Sequence, residues 1–334
     1  VMSLLQDWNF VLLGDQKEGE EVIAPKVNFQ KQKKVDENKP GSLSSSSSSS
    51  LFTSALELVT KLKDQEKNIK KANNLSAANQ QLRATRLGRR VSELYLDPFT
   101  ANDLIQRLRL AQDRVQTEQK SPKNKKLLTE FSYLQSISNT IEMQPLVRIK
   151  SREHEEYNEV LLDHYEELLQ AEPDVFDLDY PDFMNSIKTA EFFLRWVNET
   201  NEDQLFNEMN IRPGEIRVKL ENANWLLYAC SELVKVLNLK EQIAPLQRLR
   251  TRIKFGVRAE LLPLMKFKSI GRSRARALYS NEFKTVVDLK AANQSDLAAL
   301  IGPKIAASIK EQLGQKVEPI KKGKRLGQLS LSKF

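Results

Sequence analysis

The feature that most constrains the fold is a row of apolar residues between positions 214 and 238. These residues recur at alternating steps of four and three: Ile216, Leu220, Ala223, Leu227, Cys230, Val234 and Leu237. Because that spacing puts one side chain per turn on a single face, it predicts a long amphipathic helix with one packed seam. Helical spacing recurs from Thr100 onward, so the chain is expected to be mainly α.

Trp225 is the residue of this predicted helix that does not fit the seam. At about 100° per residue it lies about 160° from both Ala223 and Leu227. The indole therefore either packs on a neighbouring domain or is offered to a ligand. The second reading has a mechanism, because an indole face can stack on an unpaired nucleobase.

Charge points to an anionic partner. The 334 residues contain 52 Lys and Arg against 44 Asp and Glu, a formal net charge of +8. Residues 153–182 hold twelve acidic and no basic residues, whereas residues 248–276 hold ten basic residues and only Glu260. Such an excess favours nucleic acid over a membrane surface.

Several classes of protein are excluded by what the sequence lacks. A single cysteine, Cys230, cannot form an internal disulfide framework and fits a reducing compartment. With only His154 and His164, neither a zinc finger nor a histidine-based catalytic centre is expected, so we predict no metal site and no catalytic residue. Since no apolar run reaches about 18 residues, no membrane span is expected and a cytoplasmic location is predicted.

No nucleotide-binding loop can be found. The nearest approach, residues 14–21, places two glutamates where a phosphate-binding loop needs Lys and Ser or Thr. The following region, to about residue 80, is polar and contains the serine run Ser44 to Ser50, so it is predicted to be disordered. It separates a helix and strand within 1–13 from a short strand near 81–85.

The C-terminal region contains a helix–hairpin–helix pattern. A helix is expected to end near Lys268, and the turn Ser269-Ile270-Gly271 leads into a second helix; a second copy follows around Gly302. Gly271 allows close approach of a phosphate to backbone N–H groups at a helix N-terminus. The predicted DNA-contacting residues here are Lys268, Ser269, Gly271, Arg272, Arg274, Arg276 and Lys304. Ser269 stands where the fingerprint usually has glycine.

Such a hairpin grips the sugar-phosphate backbone, so it predicts binding without sequence preference. The alternative is a structural hairpin that does not touch DNA. Residues 316–334 form a basic tail that ends in Gln328, Leu331 and Phe334. That spacing is similar to the peptide that docks on sliding clamps; the alternative is a plain tail.

Four co-linear motifs carry a family resemblance. They are residues 87–98 (LGRRVSELYLDP), 131–140 with Phe131-Ser132-Tyr133-Leu134, Trp225-Leu226-Leu227-Tyr228-Ala229, and Gly271-Arg272-Ser273-Arg274-Ala275-Arg276. In this order they resemble the C-terminal half of the archaeal Ski-type superfamily 2 DNA helicases, the Hjm group. The resemblance spans roughly residues 80–315 together with 1–13.

The resemblance implies a domain order. Residues 1–99 would be the end of a winged-helix domain with the insertion at about 14–80, and 100–255 a helical ratchet domain. Residues 256–315 would be the small helix–hairpin–helix domain, followed by the tail. Trp225 matches the ratchet tryptophan that stacks on the translocating single strand.

Two further site assignments follow from the same resemblance. The family places an arginine two turns before the tryptophan; here that position is Val218, and Arg217 is expected to substitute. Arg274-Ala275-Arg276 matches an element that contacts DNA and restrains unwinding.

The resemblance also implies what the chain works with. The two RecA-like motor domains, with their ATP and Mg²⁺, are not in this sequence, so a fragment or a split helicase with a separate motor half is expected. The predicted function is the DNA-binding and ratchet portion of an ATP-dependent 3′-to-5′ helicase acting on single-stranded or forked DNA. The alternatives are a motor-free DNA-binding scaffold and an RNA-directed relative.

Overall fold

The computed structural model describes residues 2–13, 82–120 and 128–315. The predicted disordered insertion at about 14–80, the tail from 316 and the clamp-peptide residues Gln328, Leu331 and Phe334 lie outside the described residues. The chain divides into two units, Val1–Glu93 and Leu94–Phe334. Each unit is described separately below.

The first unit contains helix α1 (Met2–Asp7), strand β1 (Val11–Leu13), strand β2 (Leu82–Ala84) and helix α2 (Arg86–Glu93). The strands pair antiparallel, with Val11 opposite Ala84. Helix α2 lies close to the chain at Phe10, because a Cβ added to Gly88 would sit 2.0 Å from the Phe10 carbonyl oxygen. Glycine is therefore required there. The helix, strand and second strand occur where the sequence predicts them.

The second unit begins with a helical bundle. Its α-helices are α3 (Pro98–Lys120), α4 (Glu130–Ser138), α5 (His154–His164), α6 (Tyr180–Val197), α7 (Glu202–Met209), α8 (Pro213–Val236) and α9 (Ile243–Phe255). Short 3₁₀ turns connect several of them. The mainly α fold that the sequence predicts is thereby confirmed.

Helix α8 is the predicted long amphipathic helix and lies at the centre of the bundle. Five of the seven seam residues are buried, and Leu220 and Leu237 are partly buried. The buried face is wider than the seam, since Leu226, Ala229 and Leu233 are also fully buried. A helix buried on more than one side must have neighbours on both, and α9 packs along it most extensively.

A buried arginine ties the end of α9 to its surroundings. The Arg252 guanidinium donates from Nε to the Val257 carbonyl (3.0 Å) and from Nη2 to the Val197 carbonyl (3.2 Å). It also pairs with Glu130. Because a buried charge requires partners on its donors, these bonds fix the C-terminal end of α6 against the chain directly after α9.

The last part of the second unit is a small helical domain. It contains α10 (Arg272–Ser280), α11 (Val286–Ala291), α12 (Gln294–Ile301) and α13 (Pro303–Gln312), packed around a core that includes Leu278, Leu289 and Ile309. The helix expected to end near Lys268 is instead two 3₁₀ turns, Ala259–Leu261 and Leu264–Lys266. Pro263 separates these turns, and a proline inside a helix removes a backbone donor.

Candidate nucleic-acid interface

Trp225 is half-buried and anchored by one edge. Its indole N–H donates to the Leu94 carbonyl at 3.1 Å. The N–H bond lies in the plane of the ring, so this anchor fixes the orientation of the indole without occupying its π-faces. The side chain is only partly buried, and this hydrogen bond is compatible with stacking of another ring on the indole.

The neighbourhood of Trp225 is connected by hydrogen bonds, through Glu142, to the beginning of α3. Asn222 Nδ2 donates to the Glu142 carbonyl at 3.1 Å. The Glu142 carboxylate in turn accepts from the Asp97 N–H (3.1 Å) and from the Thr100 hydroxyl (2.9 Å). These bonds link the tryptophan-bearing turn of α8 to residues 97–100, so both elements are held in one frame.

Arg217, the predicted substitute for the family arginine, is exposed and pairs with Glu221 at 3.1 Å one turn along. Both side chains are mostly in solvent, where an ion pair is weak, so a phosphate can compete for the guanidinium. Val218, which occupies the family arginine position, is 56% exposed and apolar. It lines a cavity of about 810 Å³ between α8 and the extended segment 144–150.

The lining of that cavity is mainly apolar, with several basic and amide side chains among it. Arg148, Lys150 and Asn222 contribute to it, and so does Lys219. The Lys219 ammonium donates to the Met143 carbonyl at 3.3 Å and to the Pro145 carbonyl. Burial lowers the pKa of Lys219 from its ordinary value. The volume lies within the range of small-ligand sites, and it is large enough for a nucleotide unit.

The first hairpin turn adopts the backbone that its fingerprint requires. Ser269 has φ +68°, the left-handed conformation that favours glycine, and Ile270 is buried as the anchor of the turn. Gly271 caps α10, and a Cβ built on it would meet nothing within 4 Å. Close approach is therefore open at the N-terminus of α10, where the first-turn N–H groups have no acceptor within the helix.

Two basic residues of this turn are exposed. Arg274 donates to the Ser269 carbonyl at 3.0 Å, and the Lys268 backbone N–H donates to the Gln312 side chain at 2.8 Å. Both bonds are made within the small domain and leave the lysine ammonium and part of the guanidinium at the surface. These residues are suited to phosphate contact without rearrangement.

The other two arginines of α10 contact the helical bundle. Arg272 lies over the Trp196 ring at 5.0 Å and donates to the Thr200 carbonyl at 3.1 Å. Arg276 forms a bidentate pair with Glu199, at 2.7 and 2.8 Å, and a further pair with Glu260 at 2.8 Å. A phosphate that binds Arg276 must therefore displace a carboxylate.

Glu199 is held in place by its backbone and its partners. It has φ +74°, and its carboxylate also accepts the Arg258 backbone N–H at 3.2 Å. Burial alone would raise the pKa of Glu199, but hydrogen bonds from Arg276 and Arg258 outweigh burial and lower it. The same pairing raises the pKa of Arg276. Glu199 and Trp196 were missed by sequence reasoning, because their partners Arg276 and Arg272 lie more than 70 positions away and no local pattern signals the pairing.

The second hairpin differs from the first. Ile301 is buried, Gly302 has φ +90°, and Pro303 is the first residue of α13. Because proline has no N–H, this helix offers one backbone donor fewer to an anion than α10 does. Lys304 is exposed beside it.

Other kinds of site are not found among the residues that the structure describes. Within the ranges 2–13, 82–120 and 128–315, no group of three or more His, Cys, Asp or Glu side chains is arranged to hold a metal ion. In the same ranges, no helix combines the length and the apolarity needed to cross a bilayer.

Comparison with known families gives two matches to the second unit. Residues 131–256 match the family described as archaeal helicase, domain 4. Residues 261–315 match the SAM-like helix-hairpin-helix tandem. The two matches define the class: a helical domain like that of archaeal helicases, followed by a helix-hairpin-helix tandem.

Curated relatives show more specifically which proteins the chain resembles. The chain is 35% identical over 246 residues to the ATP-dependent DNA helicase Hel308 of Caldivirga maquilingensis, covering 71% of this chain and 31% of the relative. It is 34% identical to the Hel308 of Methanocaldococcus jannaschii, and the match covers 70% of this chain and 17% of the relative. The identity to the Hel308 of Pyrococcus horikoshii is 32%, and the match covers 73% of this chain and 32% of the relative. The chain is thus similar to part of these archaeal Hel308 helicases, and it spans at most about a third of their length.

Proposed function

We propose that the chain is the DNA-binding and ratchet portion of an ATP-dependent 3′-to-5′ DNA helicase. The single observation that carries this proposal is Trp225. Its indole is fixed at one edge by Leu94 while it stands off the packed seam of α8. A base stacked on the ring would resist backward slippage of the strand, and stacking of this kind is tolerant of sequence.

The hairpin domain supplies the second contact in this proposal. Lys268, Arg274 and the N-terminus of α10 hold the sugar-phosphate backbone, and Arg217 adds a phosphate contact near the tryptophan. Backbone contacts of this type carry no base information, so binding without sequence preference and with strong salt dependence is expected. The relatives are named as DNA helicases, which supports DNA over RNA as the substrate.

The remaining parts of the proposal concern partners. ATP and Mg²⁺ would bind a RecA-like motor half, supplied by a longer chain or by a separate subunit, and the whole would act at stalled replication forks in the archaeal cytoplasm. A winged-helix domain would include residues 1–13 and 82–99. The tail residues Gln328, Leu331 and Phe334 would bind a sliding clamp.

The experiment is a reconstitution with forked DNA and ATP. The chain alone should bind single-stranded DNA and hydrolyse no ATP. Adding a candidate motor half should restore unwinding, and Trp225→Ala should reduce that unwinding while leaving the DNA-stimulated ATPase of the motor half in place. Tight DNA binding without any rescue of unwinding would instead support a motor-free scaffold. Stronger binding to RNA than to single-stranded DNA of the same sequence would contradict the DNA assignment.

A further inference from the structure

Tyr95 is an aromatic residue that is not part of the packed core. It comes directly after α2 and the residue that anchors Trp225, and its side chain is 86% exposed. A tyrosine this exposed contributes little to any core, because the stabilisation from burial scales with the apolar area removed from water.

The backbone at Tyr95 is also unfavourable for this residue. Its φ is +57°, in the left-handed region that glycine and asparagine tolerate and bulky residues avoid. The position follows a helix end, where glycine is the residue most often found. A bulky residue in that conformation is strained, and strained backbone occurs disproportionately at ligand-contacting positions.

Its location relative to Trp225 is fixed by one hydrogen bond. The Trp225 Nε1 lies 3.1 Å from the Leu94 carbonyl oxygen, and Tyr95 is the next residue in the chain. Standard bond lengths therefore place the Tyr95 Cα within about 7 Å of that nitrogen. Successive bases along a strand are about 3.4 Å apart when stacked, and further apart when the strand is extended, so the separation suits neighbouring nucleotides.

Two further exposed apolar side chains lie on segments that are linked by hydrogen bonds close to Tyr95 in the chain. Phe99 is 58% exposed and Ile141 71% exposed. Both belong to the segments that Glu142 connects, through its bonds to Asp97 and Thr100. Exposed apolar side chains on segments joined in this way are suited to contact a ligand, since exposed apolar patches often mark binding sites.

From these observations we infer that Tyr95 is a second base-stacking residue, which takes the base of a nucleotide next to the one on Trp225. This inference rests on the proposed function and names a further contact within the same site. The strand would then be held by two aromatic rings that are both attached to the Leu94 backbone, so its register would be set by a short, rigid piece of chain.

The test measures binding of a fluorescein-labelled thymidine oligonucleotide of about 15 nucleotides to the whole chain by anisotropy. Tyr95→Ala should weaken binding at least about five-fold, and Tyr95→Phe should restore it, because the ring and not the hydroxyl makes the contact. Phe176→Ala is the matched control, since Phe176 is 95% exposed in the acidic region and should not affect binding.

Two further measurements separate stacking from a folding defect. Tyr95→Gly removes the strain at φ +57°, so its melting temperature should not fall although its affinity does. An oligonucleotide made largely of abasic sites should bind wild type and Tyr95→Ala equally. If Tyr95→Ala binds the thymidine oligonucleotide as tightly as wild type, or loses affinity equally for abasic DNA, the inference is wrong. If wild type itself does not bind single-stranded DNA, the proposed function fails instead.

Discussion

Trp225 and Arg276 are held by the protein in opposite ways. Trp225 uses an in-plane N–H to reach Leu94, which leaves the stacking faces of its ring uninvolved. The guanidinium of Arg276 is already paired with two carboxylates, so a phosphate would have to compete with them for it. The comparison shows that a residue type suited to DNA is available for binding only when its protein contacts use a different part of the side chain.

The largest expected effect is at Trp225. Trp225→Ala should weaken binding to single-stranded DNA by about 1–3 kcal/mol, because one base loses its stacking partner. The dependence of affinity on salt should barely change, since no phosphate contact is removed. Titration at several salt concentrations checks both statements. Trp196→Phe is the control, because Trp196 already has Arg272 against its ring.

Substitution of Arg274 should change the salt dependence of DNA binding, which substitution of Trp225 should not. Arg274→Ala should weaken binding of all sequences alike and lower the salt slope by about one, because a single phosphate contact is lost. Arg274→Lys should retain much of the slope. A loss of affinity that depends on sequence, or that leaves the slope unchanged, would place Arg274 outside the backbone contact.

Substitution of Glu199 tests whether Arg276 is unavailable to DNA because of its carboxylate partners. Glu199→Gln removes the bidentate partner of Arg276 and should free its guanidinium for phosphate. We expect binding to tighten by a few-fold and the salt slope to rise by about one. Glu260→Gln removes only one hydrogen bond to the same arginine and should have the smaller effect. Weaker binding in Glu199→Gln would show that Arg276 acts by positioning the small domain.

The pairing at Glu199 also predicts a pH dependence of stability. The folded-state pKa of Glu199 is lowered, so its stabilising contribution is present above its unfolded pKa of about 4.3 and is lost as the pH falls through the folded value. The difference in melting temperature between wild type and Glu199→Gln should therefore be largest near neutral pH and disappear in acid. A difference that grows in acid would have the wrong sign.

The smallest effect is expected at Ser269. Ser269→Gly removes a side chain from a left-handed backbone and should raise the free energy of unfolding by about 0.5–1 kcal/mol. Gly271→Ala should be tolerated by the fold, because its backbone is not left-handed and its Cβ would meet no atom. That variant should still weaken DNA binding if a phosphate approaches there. Chemical denaturation measures the first effect and anisotropy the second.

Local sequence patterns predicted much of the fold. The alternating spacing of apolar residues located α8 to within about two residues, because burial on a helix has a fixed period. The exact ends of the helices were predicted less accurately. Thr200 with Asp203 has the form of a capping box, yet the cap is Asn201 with Gln204, one residue later. The Thr200 carbonyl is instead the acceptor for Arg272.

The site was predicted less completely, for a physical reason. The position of Trp225 off the seam follows from helical geometry and could be read directly. The partners of Arg276 and Trp225 could not, since they lie 77 and 131 residues away and are brought together only by tertiary packing. The sequence shows that a residue is basic, but only the folded structure shows which carboxylates already form ion pairs with it.

The central claim is that an unpaired base stacks on Trp225. Its most direct test is fluorine NMR of the chain labelled with 5-fluorotryptophan, with the Trp225 resonance assigned from Trp225→Phe. Addition of a thymidine oligonucleotide should shift the Trp225 resonance strongly and leave those of Trp8 and Trp196 nearly unchanged, and abasic DNA should not reproduce the shift. Saturated DNA binding with an unmoved Trp225 resonance would contradict the account.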